Sequence, residues 1–479
     1  MENLNYNIKI IFVKKSKLVN KDIIPTRENQ RIMSWKDIVW LWLGMAAQMG
    51  VFMLGASFVG KLTIFELLLS IFLGNLGAAI ILSLIGDIGI EHGINFPTYI
   101  RAPFGYYGGY LPMIIRSIAG ICWFGIQTYF AATAIDLILK HFFKFSNIPL
   151  WFLIFGIIQI IITAKGIKWI NWVENIAAPA LLILCFYIIY VLISKSSLNY
   201  IFSYPVTQKL PFWSAVTINL SYWSTVSINI PDFSRFMKNI NGSKKFLTRN
   251  FHSFLGQAIG APLGMIIFAS VGMISHMVTG YANPVEAIYT TLPTAFLILI
   301  GLTIVILAQL STNIAANLFA PGNILNSIFS PKINFSTAVI IAGSFGLLTF
   351  PWILINFFLT YLPTIGALLS PVAGIMLSDY YLIRKRNLSI KDLFCFGEYT
   401  YLKGYNPAAI ITYLIAIILG LRFLKYSWLI SLPISLVLYY LLMKFFILKR
   451  YKQKEIENDS QEKFLGSSEN IEYEIEIEE

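Results

Sequence analysis

WLGMAAQMGVFMLGASFVG, Trp42 to Gly60, is the stretch on which the fold turns. It is apolar enough to cross a bilayer, yet Gly44, Gly50 and Gly55 surround a single amide, Gln48. Lipid offers the backbone no hydrogen bonds, so a helix that breaks at that depth must be buried in protein or face a cavity. The stretch therefore predicts a broken membrane helix inside a bundle. A second stretch, TINLSYWSTVSINIPDF (Thr217–Phe233), carries Asn219, Ser221, Ser224, Thr225, Ser227 and Asn229 ahead of Pro231, and predicts another.

Runs of about 20 apolar residues, the length needed to cross a bilayer, recur along the chain. Of its 479 residues, 57% are hydrophobic and 13% charged. The reading is an all-α integral membrane protein with one transmembrane domain, residues 37–448, of twelve spans, the first at 37–59 and the sixth at 212–231. A basic tail, 1–36, precedes it, and an acidic tail, 449–479, expected to be disordered, follows. The apolar run IKIIFV (Ile8–Val13) is too short for a signal peptide. Cys122, Cys185 and Cys395 form neither a CxxC pair nor a disulfide framework and read as small apolar fillers.

The net charge of +12 raises the question of nucleic acid, which the distribution of basic residues answers. With the N-terminus cytoplasmic, 28 Lys or Arg fall on that side and 7 on the other, and Arg116 lies within a span, which accounts for all 36. Such asymmetry orients a membrane protein, here with both termini in the cytoplasm. The expected setting is the plasma membrane, with the bilayer and no nucleic acid as partner.

Spans one and six stand five apart, the spacing of inverted repeats formed by spans 1–5 and 6–10. Broken helices in matching positions of two halves point to a transporter's binding site. Polar residues at that depth are then the functional candidates. In SIAGICWFGIQTYF (Ser117–Phe130), Trp123 and Gln127 share one helix face. An indole packs on a planar ring and an amide offers donors and an acceptor in a fixed plane. Trp223, beside Tyr222 in the broken sixth span, offers a second face. Span eight adds AQLSTNIAANLFAPGN (Ala308–Asn323), where Asn313 and Asn317 are one turn apart and Asn317 is the better partner for a substrate's amide edge. The hydroxyls of Ser311 and Thr312, with carbonyls freed at the break in span one, would suit a hard monovalent cation. The plainer reading is that these side chains bond to neighbouring helices or back to their own. Arg116 and Asp136 are assigned structural roles, Arg116 with its stem snorkelling. His92, His141, His252 and His276 form no metal motif, so an enzyme is not indicated, and nothing suggests a channel filter.

These residues resemble nucleobase:cation symporter family 1, over about residues 26–445. The resemblance is carried by RIMSWKDIVWLWLGMAAQ, GINFPTYIRAPFGYYGGYLP, CWFGIQTYF, WSTVSINIPDFSRF, LSTNIAANLFAP and SPVAGIMLSDYYLIRKR. It implies a LeuT-like 5+5 inverted-repeat core with broken helices 1 and 6, and two peripheral helices. It implies that Trp123 and Trp223 sandwich a substrate ring, that Gln127 and Asn317 bond its edge, and that Gln48 lies close by. It places a cation between the backbone of Gly44 and Ala47 and span eight at Ala308, Ser311 and Thr312. Tyr222 stands where the family's hydantoin transporter has glycine, which would narrow the pocket, and NIPDFSRF is nearer the uracil and allantoin branch. The expected function is import of a planar nucleobase or ureide, uracil- or allantoin-like, by Na+ or H+ symport with alternating access, by a monomer without a cofactor. A hydantoin or cytosine/purine transporter, or a non-transporting sensor of such ligands, is the alternative.

Overall fold

The computed structural model describes residues 8–13, 24–165, 170–238, 245–329, 332–394, 396–453 and 471–476, so Cys395 lies outside the described residues. Most of it is helix, and capping residues in the sequence set where several helices begin. Ser34 starts α1 (Trp35–Ala46), its backbone N–H donating to Asp37 at 2.7 Å. Gln48 starts α2 (Met49–Ser57), its Oε1 accepting from Gly50 N–H at 2.9 Å. Thr63 and Glu66 cap α3 (Ile64–His92) reciprocally, and Gly93, at φ 68°, ends it in the left-handed region that glycine adopts without strain.

The order continues with α4 (Tyr110–Phe143), α5 (Ile148–Ala164) and α6 (Ile170–Lys195). The sixth predicted span is interrupted at Trp223 between α7 (Phe212–Tyr222) and α8 (Ser224–Asn229). Then come α9 (Phe246–Thr279) and α10 (Ala295–Thr312), a π-helical stretch (Asn313–Phe319), and α11 (Ala320–Phe329). The last are α12 (Phe335–Leu347), α13 (Phe358–Leu377), α14 (Pro407–Arg422) and α15 (Ser427–Leu442). Among the described residues, seven helices are long and apolar enough to cross a membrane, and the α1–α2 pair, bent by 67°, makes an eighth. Helices α5, α12 and α14 are apolar but shorter. The chain is a multi-pass membrane protein.

The break in span one falls at Ala47. Its N–H turns back to the carbonyls of Leu43 and Gly44 at 3.0 and 3.1 Å, and Gln48 follows in extended geometry. Helix α9 packs along both halves because it presents glycines there. A Cβ on Gly260 would lie 2.9 Å from Val39 Cα, and one on Gly264 would lie 2.8 Å from Ala46 Cβ. Small residues of this kind let membrane helices pack backbone to backbone.

Several helices outrun the predicted spans, most clearly α3, which continues to His92, and α9, which begins at Phe246. The reason is pairing. Asp87 and Arg249, both fully buried, meet at 2.6 Å, and Asn250 and Tyr380 add bonds to the same carboxylate at 2.7 and 3.3 Å. Asp379 pairs with Arg384 at 2.7 Å and accepts from the Tyr439 hydroxyl at 2.7 Å. Charged residues can lie this deep because each finds its partner. Of the two tails, the described residues include Ile471–Glu476, which pairs in parallel with Ile8–Val13.

Candidate substrate and cation site

The interruptions in spans one, six and eight lie beside one another and enclose a cavity of ≈ 30 Å³. Gln48, Trp123, Gln127, Tyr222, Trp223 and Asn317 all line it, six of the seven residues expected to meet a substrate. Trp123 and Gln127 project from the unbroken helix α4, and the others come from the interruptions. Gln48 is the cap at the break, Trp223 is the residue between α7 and α8, and Asn317 lies in the π-helical stretch. A cavity of this size holds a water or two and not a heterocycle.

Tyr222 explains the small volume. Its ring packs edge-on against both tryptophans, 5.1 Å from Trp123 and 5.2 Å from Trp223 by centroids. Its hydroxyl accepts a hydrogen bond from Gln48 Nε2. The space expected between two indoles is thus taken by a phenol. Gln127 Oε1 is buried beside it with no hydrogen-bond partner, an acceptor left open at the cavity wall.

Asn313 does not line the cavity. Its Nδ2 points outward to Gln159 Oε1 at 2.8 Å, Phe124 O at 3.1 Å and Thr128 Oγ1 at 3.2 Å, while its Oδ1 accepts from Asn317 Nδ2 at 3.0 Å. It orients Asn317. The spacing of the two amides was readable in the sequence, but which of them faces the cavity depends on the widened π turn between them.

Four of the five residues expected at the cation lie in two contacts, and of the five Thr312 lines the cavity. Thr312 Oγ1 donates to the Gly44 carbonyl at 3.4 Å, and Ser311 Oγ donates to the Ala308 carbonyl at 3.2 Å. Ala47 is the residue at the break itself. Hydroxyl and carbonyl oxygens from α1 and α10 are therefore side by side, the donor type a hard cation takes.

Several participants had no signal in the sequence alone. Asn75 accepts from Trp223 Nε1 at 2.6 Å, and Trp42 packs edge-on at 4.7 Å, so the second indole is held by α3 and α1. Tyr361 and Phe358 of α13 cover Trp123 at 5.8 and 5.9 Å. Arg116 does not snorkel. It is 1% exposed and reaches the Ala316 carbonyl at 3.2 Å and Asn229 Oδ1 at 3.3 Å. Asp136 accepts from Ser146 Oγ and Asn147 N–H, joining α4 to the start of α5.

The model of a permease family for cytosine/purines, uracil, thiamine and allantoin matches residues 25–447. The chain belongs to that family. Its members are permeases and not enzymes, which agrees with the sequence reading. This permease is similar to a hydantoin permease of Microbacterium maritypicum, 32% identical over 84% of this chain and 83% of that one. It is also similar to a purine-uracil permease of Arabidopsis thaliana, 32% identical over 84% of this chain and 70% of that one. A solved nucleobase-cation-symport-1 family transporter, Mhp1, closed with bromovinylhydantoin bound, superposes with a TM-score of 0.84 at 31% identity, over 92% of this permease and 98% of that chain. A sodium-coupled sialic acid symporter shares the fold alone, at 14% identity and a TM-score of 0.63, over 88% of this permease and 91% of that chain.

Proposed function

We propose that this permease imports a small planar nucleobase or ureide, uracil- or allantoin-like, by cation symport with alternating access. The observation that carries the reading is the convergence of Trp123, Trp223, Gln127 and Asn317 on one cavity at the helix interruptions. Indole faces stack on a flat ring, and the open Gln127 Oε1 accepts from a ring N–H. Tyr222 favours a small ring over a bulky hydantoin, because a substrate must displace it from between the indoles.

In this reading twelve spans cross the plasma membrane, spans 1–5 and 6–10 form inverted repeats, and both termini are cytoplasmic. The permease is read as a monomer. The coupling ion sits among the oxygens of Gly44, Ala47, Ala308, Ser311 and Thr312, and their chemistry favours Na+, with H+ the alternative. Because Thr312 touches both Gly44 and the cavity, an ion there links α1 to α10 at the substrate's edge.

The test is uptake of radiolabelled uracil in competition with allantoin, cytosine, hypoxanthine and hydantoins, in wild type and in Trp123→Ala and Trp223→Ala. Stacking on an aromatic contributes about 1–3 kcal/mol per ring, so each variant should lose roughly tenfold or more in affinity. Uptake unchanged in both variants would sink the assignment.

A further inference from the structure

The face of α4 opposite Trp123 borders a second, larger cavity of ≈ 580 Å³. It runs between α4, α11 and α12, with Ile118, Cys122, Phe329, Ile341 and Phe345 on its walls. Ile118, Phe329 and Phe345 are 54%, 49% and 60% exposed, so the groove opens outward at the depth of the membrane-spanning helices. Near Phe345 and Thr349, α4 and α12 touch through glycines, where a Cβ on Gly125 would come within 2.8 Å of the Gly346 carbonyl oxygen. Ile333 also lines the groove, with exposed Lys332 next to it in the chain.

The walls are apolar but for two hydroxyls, those of Thr349 and Ser117. Thr349 Oγ1 bonds to its own helix at Gly346 O, whereas Ser117 Oγ is buried without a hydrogen-bond partner. From Ile114 to Cys122 the groove follows α4 for ~12 Å at 1.5 Å per residue. That is close to the ~15 Å depth of one leaflet, half of a ~30 Å hydrocarbon core.

We infer that this groove holds one acyl chain of an anionic phospholipid, with the chain end against the Gly125–Gly346 contact and the headgroup at Lys332. An apolar groove nearly one leaflet deep, open towards the lipid along Ile118, Phe329 and Phe345 and with Lys332 beside its Ile333 end, fits a chain that lies along the helices with its headgroup at the membrane surface. Charge complementarity selects the headgroup, since a basic residue at the membrane surface attracts anionic lipid. Ser117 Oγ, facing the chain, is left to donate to an ester carbonyl. Helix α4 then has ring chemistry on one face and a lipid chain on the other, so the lipid supports the helix that carries Trp123 and Gln127.

The experiment reconstitutes the full chain in nanodiscs containing a phosphatidylglycerol with a diazirine near its acyl terminus. Photolysis is followed by peptide mapping. The expected result is labelling concentrated on residues 114–122 and 341–349, competed by unlabelled phosphatidylglycerol and poorly by phosphatidylcholine. Lys332→Gln should lower that labelling roughly fivefold, the effect of one basic residue at an anionic surface. Ile118→Trp, which fills the groove, should abolish it, and Ile341→Phe serves the same end should the first variant fail to fold. Labelling spread evenly over the exposed helices, or unchanged by filling the groove, overturns the assignment. Equal competition by the neutral lipid overturns its anionic part. The readout requires no substrate, so it stands or falls apart from the transport reading.

Discussion

Asn317 gives its side-chain N–H to Asn313 Oδ1 at 3.0 Å, one widened turn away, and so presents its own carbonyl oxygen to the cavity. Asn313 is held in turn by α4 and α5 through Phe124, Thr128 and Gln159. A residue outside the cavity thereby sets the polarity of one that lines it.

Asn313→Ala should therefore weaken substrate binding about as much as Asn317→Ala. It leaves buried groups unpaired, at a cost of about 1–3 kcal/mol, and frees Asn317 to turn. The two changes should be non-additive, with a coupling of about 0.5–3 kcal/mol in a double-mutant cycle read by tryptophan quenching. Additive losses would mean that Asn317 is oriented by something else.

Tyr222 is expected to set the size limit of the substrate. Tyr222→Gly should open the gap between Trp123 and Trp223 and shift uptake towards 5-substituted hydantoins. Tyr222→Phe should leave the size limit in place and change only the contact with Gln48. A competition panel on both variants separates the two effects. If the glycine variant keeps the parent's preference, the phenol is not the gate on size.

For the coupling ion, replacing Thr312 by Val and Ser311 by Ala removes both hydroxyls and leaves every carbonyl. Substrate affinity measured in Na+ and in choline at fixed pH should differ for the parent by roughly 5–150-fold, the range of coupled sites. In the double variant the difference should vanish, with weak ion-independent binding remaining. A parent indifferent to Na+ but responsive to a proton gradient would assign these hydroxyls to structure alone.

The buried pair Asp87–Arg249 should matter more for folding than for transport. Arg249→Met strands a carboxylate that now has Arg249, Asn250 and Tyr380 around it, and breaking such a pair costs about 3–5 kcal/mol. Replacing both partners with apolar residues should recover much of that loss. Thermal unfolding in detergent of the two single variants and the double variant gives the comparison, and a double variant no better than the singles would contradict it.

Most of the helix pattern was legible because it depends on composition and local signals. Gly44, Gly50 and Gln48 marked the break in span one, and Trp123 and Gln127 shared a face by spacing alone. Depth was legible too, since polar residues in mid-span converge on the cavity. Partner choice was not. Asn75 under Trp223, Arg249 beside Asp87 and Tyr222 between two indoles are relations between helices far apart in the chain, and nothing local encodes them. The inward turn of Arg116 was hidden for the same reason, because its acceptors lie on α8 and in the π-helical stretch.

That stretch, Asn313–Phe319, amounts to a stored rotation. An α-helix advances roughly 100° per residue, whereas π geometry bonds five residues back and so holds one residue more per turn. If the stretch tightened to α geometry, α11 would screw about its axis relative to α10. Asn317 would swing away from the cavity, and the Ala316 carbonyl would leave Arg116. The slack in this thread lies at the cavity. Removing one residue within Asn313–Phe319 takes up the slack and spares the orientation of α11, while a deletion in α10 leaves the slack and turns everything beyond it. Single-residue deletions along this span should thus be tolerated unequally, with the least damage to folding where the helix is already wound wide.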